Sequence, residues 1–259
     1  MRPVAAVAVV TGGASGIGAA CCRELTKRAW RVVVADIDEV AAGRVASEVG
    51  GTAYRVDVGD ESSIEDLARR VEAEAGPVSA LVNSAGVIQV PLPPEDLPLA
   101  AWDNVVRVDQ RGTYLASLAF GRRMARRGRG AIVNIASIAG MRSMPLHSYA
   151  PAKAAVISMT ECLAAEWGRS GVRVNAVSPG YTRTPALQAA IDRGQRDVTS
   201  LKENSALGRL VEPEEIARAV AFLVSDDSDA ITGINLPVDA GWLVATSWHT
   251  YNGLRPPRN

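Results

Sequence analysis

Three side chains that can take part in proton transfer lie within 17 residues of one another in this chain of 259 residues. Tyr149 and Lys153 are four residues apart, and Ser137 precedes Tyr149 by twelve positions. A helix places residues i and i+4 on one face, so a phenol and an ammonium group can converge on one reacting oxygen. An isolated pair of this kind is more typical of a solvated helix surface. Ser137, at the end of a predicted strand, favours acid–base chemistry instead.

A glycine-rich turn follows the first apolar run of the chain, Val4–Val10. Gly12, Gly16 and Gly18 lie where a strand must pass into a helix, so a pyrophosphate can approach the backbone and face the helix N-terminus. Such a turn can also be a simple tight connection. Its position after the first strand of an alternating chain favours a nucleotide site.

Asp36 follows the second predicted strand, 18 residues after Gly18. A carboxylate there can accept hydrogen bonds from both ribose hydroxyls and would repel a 2′-phosphate. The sequence therefore predicts NAD rather than NADP. The alternative is that Asp36 only caps the next helix, and Asp38 is a second acidic candidate nearby.

Short apolar runs rich in β-branched residues alternate with longer helix-like segments, which predicts an α/β protein with one doubly wound Rossmann-like domain over residues 1–259. The predicted strands of its seven-stranded parallel sheet are Val4–Val10, Arg31–Ala35, Thr52–Val56, Ala80–Asn83, Ala131–Ala136, Arg173–Ser178 and Ile234–Val238. The predicted helices are Ile17–Arg28, Glu39–Val49, Ser62–Ala75, Ala101–Arg126, Ser148–Arg169 and Pro213–Val224. Ligands of such sheets bind at the carboxyl ends of the strands. We expect a substrate lid at 181–210, mobile over 186–208, and an aromatic tail at 242–259.

Composition narrows the possible partners. Lys plus Arg and Asp plus Glu both number 28, so no net field favours nucleic acid or an anionic membrane. The apolar run at the N-terminus is too short to span a bilayer. Cys21, Cys22 and Cys162 show neither metal nor disulfide spacing, which fits a reducing cytoplasm. For the adjacent Cys21 and Cys22 we expect only a role as small buried side chains.

Taken together, the motifs resemble those of the short-chain dehydrogenase/reductase family over about residues 4–241. The matching segments are the turn from Thr11 to Gly18, Asn83-Ser-Ala-Gly86, Ser137, Tyr149-Ala-Pro-Ala-Lys153 and Pro179-Gly180. The resemblance implies a Rossmann-like fold, a nicotinamide cofactor and hydride exchange with an alcohol or carbonyl compound. It also implies a homotetramer or homodimer, with the long helices 101–126 and 148–169 at an interface.

Individual site residues follow from this resemblance. The implied catalytic residues are Ser137, Tyr149 and Lys153, with Asp109 where the family has an asparagine. The expected cofactor-binding residues are Gly12, Ser15, Gly16, Ile17, Gly18, Asp36, Asp57, Val58, Asn83, Ala85, Gly86, Tyr149, Lys153, Pro179, Gly180, Thr182 and Thr184. Asp57 and Val58 would contact the adenine, and Thr182 and Thr184 compete for one role beside the nicotinamide.

The expected roles have a physical basis. Tyr149 would be the base, with its pKa brought below the usual value of about 10 by the Lys153 ammonium and the oxidised nicotinamide. Lys153 would also hold the ribose hydroxyls, and Ser137 would hold the substrate oxygen. We hypothesise that Asp109 accepts the hydrogen bonds of a proton relay and pairs with Lys153 through water. A purely structural role for Asp109 stays open.

The expected function is an NAD-dependent dehydrogenase of a secondary alcohol or its ketone, with a small polyol, sugar or cyclic alcohol favoured. The alternatives are a 3-oxoacyl-thioester reductase and a catalytically silent nucleotide-binding scaffold. Candidate substrate contacts are Val87, Gly140, Met141, Arg142, Met144, His147 and Tyr181. Arg142, Arg183, Arg193 and Arg196 could receive an anion, although scattered arginines are usually solvated or paired. Trp248, His249 or Tyr251 would pack on the chain itself or reach a neighbouring subunit.

Overall fold

The computed structural model describes residues 6–255, and every structural statement below concerns these residues. Its single sheet has seven parallel strands in the order β3-β2-β1-β4-β5-β6-β7, which confirms the predicted doubly wound fold. The strands are β1 Val7–Thr11, β2 Arg31–Asp36, β3 Thr52–Arg55, β4 Val78–Asn83, β5 Gly130–Ile135, β6 Val172–Pro179 and β7 Asn235–Val238. The α-helices are α1 Gly16–Lys27, α2 Glu39–Val49, α3 Glu61–Glu74, α4 Leu99–Val105, α5 Thr113–Arg127, α6 Tyr149–Trp167, α7 Pro185–Asp192, α8 Val198–Glu203, α9 Pro213–Val224 and α10 Trp242–Ala245.

Both faces of the sheet are buried, which explains why its central strands are apolar at nearly every position. In β1, Val7 and Val9 pack into one core with residues of α3 and α5, whereas Ala8 and Val10 pack into the other with α1, α2 and α9. The alternation of side chains along a strand divides them in this way.

The strand order reverses at β1, which pairs with β2 on one side and β4 on the other. Thr11 at the end of β1 is in register with Ala35 and with Asn83. The connections after these strands leave the sheet in opposite directions, so a crevice opens at their carboxyl ends. The functional side chains gather at this edge.

The predicted long helix at 101–126 is divided in the structure. Between α4 and α5 the chain is π-helical over Val106–Gly112, and Asp109 lies inside this segment. The Thr113 hydroxyl donates to the backbone oxygen of Asp109 over 2.7 Å. Such bulges insert an extra residue into the helical turn, which turns one side chain to a direction that a regular helix would not give.

Segment 181–210 contains α7 and α8, and a β-bridge between Thr182 and Val211 closes its base. The mobility of 186–208 stays a prediction. The tail begins with α10, and the Trp242 ring packs edge-on against Tyr181 at 5.8 Å between ring centroids. The start of the tail thus packs on its own chain, while Trp248 and Tyr251 are exposed. The predicted strand residues 4 and 5 and the tail residues 256–259 lie outside the described residues, and His249 is not described further.

Candidate active site

Strand β5 and helix α6 bring Ser137, Tyr149 and Lys153 together. Ser137 lies two residues beyond β5, and its hydroxyl accepts a hydrogen bond from the Ala139 backbone over 3.1 Å. Tyr149 is the first residue of α6, and Lys153 follows one turn later with its Nζ 5.4 Å from the centre of the Tyr149 ring. Ser137 is also hydrogen-bonded to the Tyr149 phenol. The grouping expected from the sequence is therefore formed.

Lys153 contacts Asp109 directly. Its Nζ lies 3.1 Å from Asp109 Oδ2, and the lysine side chain is 5% exposed and the aspartate 0%. The same ammonium donates to the Ile135 backbone oxygen over 3.0 Å. Asp109 Oδ1 accepts from the Val87 backbone N–H over 2.8 Å. The expected pairing through water is therefore wrong in this structure, because the π-helical turn brings the carboxylate within contact of the lysine.

The electrostatics of Tyr149 also differ from the expectation. Burial raises the pKa of the Tyr149 phenol; the Lys153 ammonium lowers it, the Asp109 carboxylate raises it and the Ser137 hydrogen bond lowers it, with a net increase. Burial by itself lowers the pKa of Lys153, but Asp109 and Tyr149 more than offset this and leave it raised. Asp109 therefore keeps the lysine charged while opposing its effect on the phenol. The chain alone does not shift Tyr149 toward phenolate.

Gln89, which the sequence analysis did not single out, anchors the start of α6. Its Oε1 accepts hydrogen bonds from both the backbone N–H and the hydroxyl of Ser148, each over 2.8 Å. Ser148 is buried and directly precedes Tyr149. Gln89 therefore fixes the position from which the phenol projects. The two residues are 59 positions apart, so no local pattern could have indicated the contact.

The glycine turn fits a dinucleotide. Gly12 has a φ of +65°, and a Cβ there would lie 2.6 Å from the backbone of Ala85. A Cβ on Gly18 would lie 2.0 Å from the Gly12 carbonyl oxygen. Helix α1 begins at Gly16, and the Ser15 side chain does not cap it, which leaves first-turn N–H groups available for an anion. The turn can therefore hold a pyrophosphate against the backbone.

Acidic groups line the same region. The Asp36 carboxylate accepts from the backbone N–H groups of Ala14 and Asp38, over 3.0 and 3.1 Å, which fixes it beside the glycine turn. Asp57 accepts from Arg107 Nη1, which lies 2.9 and 3.0 Å from its two oxygens. Arg107 comes from the π-helical segment, and it was not predicted. It orients the carboxylate expected near the adenine.

Two cavities meet at Tyr149. The first, of about 600 Å³, is the substrate cavity, and it contains Ser137 and Tyr149 in its wall. The second, of about 510 Å³, is the cofactor cavity, and it contains the glycine turn and Asp36. Residues shared by both walls are Ile17, Gly86, Ile88, Ile135, Tyr149, Thr184 and Ala186. An alcohol in the first cavity can therefore lie beside a ligand in the second.

The predicted site residues divide between the walls of the two cavities. Those in the wall of the cofactor cavity are Gly12, Ser15, Gly16, Ile17, Gly18, Asp36, Asp57, Val58, Ala85, Gly86, Asp109, Tyr149, Lys153 and Thr184. Pro179, Gly180 and Thr182 line the substrate cavity instead, and the Thr182 hydroxyl donates to the Gly180 oxygen over 3.0 Å. Thr184 lines both cavities, which favours it over Thr182 for the expected role beside the nicotinamide.

Asn83 lines neither cavity. Its amide nitrogen donates to Asn134 Oδ1 over 2.8 Å and to the Ser117 hydroxyl over 2.9 Å, within the buried interior. Two polar partners on β5 and α5 hold the side chain between these elements. These hydrogen bonds connect the end of β4 to β5 and α5. The expected role of Asn83 in shaping the cofactor pocket stays a prediction.

The expected substrate contacts divide in the same way. Met144 and Tyr181 line the substrate cavity and Val87 the cofactor cavity, whereas Gly140, Met141, Arg142 and His147 line neither. Unpredicted members of the substrate cavity wall include Gln89, Val90 and Leu146. Within residues 6–255, no cluster of three His, Cys, Asp or Glu side chains could hold a metal ion, and no helix is long and apolar enough to cross a membrane.

Comparison with known proteins identifies the class that this fold and site define. Residues 12–243 match a family profile described as enoyl-(acyl carrier protein) reductase. The chain is 42% identical over 241 residues to a cis-4-hydroxycyclohexanecarboxylate dehydrogenase of Sinomonas cyclohexanicum, covering 91% of this chain and 96% of that one. It is 39% identical to a D-threitol dehydrogenase of Mycolicibacterium smegmatis, covering 92% and 93% of the two chains.

Two solved structures show the same architecture. One, titled ribose-5-phosphate isomerase from Brucella melitensis 16M, is 54% identical with a TM-score of 0.96 over 98% of both chains. The other, titled ElxO with NADP bound, is 28% identical with a TM-score of 0.88 over 93% of this chain and 99% of that one.

The fold and these similarities define a nicotinamide-dependent oxidoreductase. The chain belongs to the short-chain dehydrogenase/reductase family, which confirms the resemblance. It acts on the CH–OH group of a secondary alcohol or on the corresponding ketone.

Proposed function

We propose that the protein is an NAD-dependent dehydrogenase of a small polyol, sugar or cyclic secondary alcohol. The observation that carries this proposal is the meeting of the two cavities at Tyr149, with Ser137 on the substrate side and Lys153 on the cofactor side. A cavity of about 600 Å³ suits a small ring or short polyol. The relatives named for a hydroxycyclohexanecarboxylate and for threitol support this class.

The choice of NAD rests on Asp36. Its carboxylate lies in the cofactor cavity and accepts two backbone hydrogen bonds, so it stays fixed where the adenosine ribose of a dinucleotide would lie. A ribose with free 2′- and 3′-hydroxyls can donate to it, whereas a 2′-phosphate would be repelled. Titrating the protein with NADH and with NADPH, followed by cofactor fluorescence, tests this directly. Tighter binding of NADPH by the unsubstituted protein would contradict the proposal, and Asp36→Ser should narrow the preference for NADH.

The residues of the chain support the following mechanism. Bound nicotinamide supplies hydride acceptance and donation. Ser137 holds the substrate oxygen, and Tyr149 removes the hydroxyl proton during oxidation or returns it during reduction. Lys153 uses one N–H on Ile135 and one contact on Asp109, which leaves an N–H for a ribose hydroxyl. Because burial raises the pKa of Tyr149, we expect the positive charge of oxidised nicotinamide to be needed for phenolate formation.

The decisive experiment follows nicotinamide absorbance with a panel of polyols, sugars, 4-hydroxycyclohexanecarboxylate and 3-hydroxyacyl thioesters, each with NAD and NADP. Tyr149→Phe is the control, since it keeps the ring and removes the proton-transfer group. We expect turnover of a polyol or cyclic alcohol with NAD and a loss of at least about a hundredfold in the variant. Binding of cofactor with no turnover on the whole panel would favour the silent scaffold.

A 3-oxoacyl-thioester reductase is the second candidate. The matching profile is described as enoyl-(acyl carrier protein) reductase, and apolar side chains such as Ile88, Val90 and Leu187 line the substrate cavity. Such a reduction would use NADPH, and the fixed carboxylate of Asp36 would repel the 2′-phosphate of that cofactor. Preference for NADP together with turnover of the thioesters would replace the first proposal with this one.

We further propose a cytoplasmic homotetramer or homodimer. Leu99 of α4 and Tyr114 of α5 are exposed apolar side chains, which a second copy could cover. Cys21 and Cys22 are buried and Cys162 is a free exposed thiol, as a reducing compartment permits. Sedimentation of the purified protein would decide the oligomeric state, and a monomer at micromolar concentration would contradict it.

A further inference from the structure

The substrate cavity carries an unbalanced positive charge. Its wall is formed mostly by apolar side chains and backbone, and among residues 6–255 only Arg193 and Arg196 contribute a charge to it. Both arginines come from the segment between α7 and α8. Neither lines the cofactor cavity. A charge in an otherwise apolar wall is costly unless it meets an opposite charge or stays in contact with water.

Within residues 6–255, neither arginine forms a salt bridge. Arg193 donates from Nε and Nη2 to Gln195 Oε1, over 3.4 and 3.3 Å. Arg196 donates from Nη1 to the Gln195 backbone oxygen over 2.9 Å. A guanidinium group has five N–H donors, so most of those on the two arginines have no acceptor among the described residues.

The neighbouring acids do not neutralise these arginines. Asp192 Oδ1 accepts from Gln188 Nε2 over 2.8 Å, and Asp197 Oδ1 accepts from the backbone N–H of Thr199 at the start of α8 over 2.9 Å. Neither acid lines the cavity. Arg183, by contrast, is paired with Glu212 at 3.0 Å, and Arg142 lies outside the cavity. Of the four arginines that could receive an anion, Arg193 and Arg196 therefore remain as candidates.

Arg196 acts electrostatically on Tyr181, another residue of the cavity wall. Burial raises the pKa of the Tyr181 phenol, and the charge of Arg196 opposes this, which puts the guanidinium in electrostatic range of a cavity residue. Arg196 is itself half-buried, whereas Arg193 is exposed. The two arginines therefore differ in their access to water although both line the cavity.

We propose that Arg193 and Arg196 bind an anionic group of the substrate, a carboxylate or a phosphate, while its secondary alcohol lies at Ser137 and Tyr149. This deepens the proposed function and rests on it. A planar guanidinium binds carboxylate and phosphate oxygens in matching pairs, so such a contact fixes orientation as well as affinity. The substrate is then a small hydroxy acid or sugar phosphate rather than a neutral polyol.

The test compares anionic compounds with neutral counterparts of the same carbon skeleton: 4-hydroxycyclohexanecarboxylate with its carboxamide, and ribitol 5-phosphate with ribitol. Oxidation kinetics are measured for the unsubstituted protein and for the double variant Arg193→Gln/Arg196→Gln. Lys202→Gln is the matched control, because it removes an exposed charge from α8 that lines neither cavity. Calorimetry of each compound, with reduced cofactor bound so that no reaction occurs, gives affinity without turnover.

We expect the double variant to raise the KM of the better anion by roughly 10- to 100-fold, with kcat changed much less, because charge-assisted bonds to partly exposed groups are being lost. The neutral partner should change less than twofold, and Lys202→Gln should change neither. Preference for the carboxylate pair or the phosphate pair identifies which anion the site takes.

Equal affinity for the charged and neutral compounds in the unsubstituted protein would overturn the anion site, as would an equal loss of both in the double variant. If a neutral alcohol is oxidised well and no anion is preferred, the proposed function stands and this inference fails. If nothing is oxidised but the double variant abolishes calorimetric binding of an anion, the anion site stands and the proposed dehydrogenase function fails.

Discussion

Replacing Asp109 with asparagine tests the assignment of this residue most directly. The Asp109 carboxylate uses one oxygen on the Val87 N–H and places the other 3.1 Å from the Lys153 ammonium. An asparagine has a single acceptor oxygen, so either the backbone donor or the ammonium must face an NH₂ group. The substitution Asp109→Asn therefore removes the negative charge and one of two buried contacts while preserving the shape of the side chain.

The size of the effect follows from burial, since both partners are almost fully inaccessible to solvent. Loss of one partner in a buried ion pair costs about 3–5 kcal/mol, and loss of one hydrogen bond to a charged group about 1.5–3 kcal/mol. Because asparagine keeps one acceptor, we expect the free energy of unfolding to fall by about 2–3 kcal/mol. For a chain of this length that lowers the Tm by roughly 5–10 °C.

The pH dependence of catalysis should change in a defined direction. Asp109 is one of the groups that raise the pKa of Tyr149, after burial, which is the largest cause. Removing its charge leaves Lys153 unopposed, so the pKa of the phenol falls. If Tyr149 is the base of alcohol oxidation, as proposed, the rising limb of kcat/KM for oxidation should move to lower pH.

The assay is a pH profile of alcohol oxidation together with thermal melting, and Asp103→Asn is the matched control because Asp103 is exposed on α4. The control should leave both readouts unchanged. A limb that stays in place in Asp109→Asn, or that moves to higher pH, would refute the electrostatic role. Loss of stability with an unchanged profile would leave Asp109 only its structural role.

Two further predictions concern residues that position the reaction centre and the cofactor. Gln89→Leu leaves the buried N–H and hydroxyl of Ser148 without their acceptor, so kcat should fall about tenfold with little change in cofactor affinity, and Gln89→Glu, which keeps an acceptor oxygen, should restore most of it. Full activity of the leucine variant in steady-state kinetics would show that this anchor does not matter. Gly18→Ala places a Cβ 2.0 Å from the Gly12 oxygen, so NADH binding measured by fluorescence should weaken at least about a hundredfold. Gly43→Ala meets no atom within 4 Å inside α2, so it should bind NADH normally and gain about 0.5–1 kcal/mol of stability; normal binding by both variants would contradict the packing argument.

Much of the fold could be predicted because its signals are local. Apolar runs such as Val32–Val34 are buried on both sides of a parallel sheet, and helices of suitable length separate them. Tyr149 and Lys153 could be paired because helical periodicity alone brings them together. The boundaries differed where tertiary contacts intervene. The helix predicted over Ala101–Arg126 is interrupted by a π-helical segment, which the hydrophobic periodicity of the sequence does not predict.

The contacts that the sequence could not predict join loops from different strands. Gln89 reaches Ser148 across 59 residues, and Arg107 reaches Asp57 across 50. Asp109 contacts Lys153 only because the π-helical turn directs it inward. Residue types restrict such contacts to a few candidates, but the approach of one loop to another depends on the packing of the whole domain.

The distribution of charge between the two cavities is likewise a product of that packing. Acidic residues Asp36, Asp57 and Asp109 all line the cofactor cavity, where Arg107 and Lys153 pair with the last two. Asp36 stays available to hydroxyl donors, which opposes an additional phosphate at the ribose. In the part of the chain that the structure describes, no acidic residue lines the substrate cavity, whereas two arginines do. This distribution opposes an anion at Asp36 and favours one near Tyr181. The two proposals, NAD as the cofactor and an anionic substrate, therefore rest on charges at opposite ends of the site.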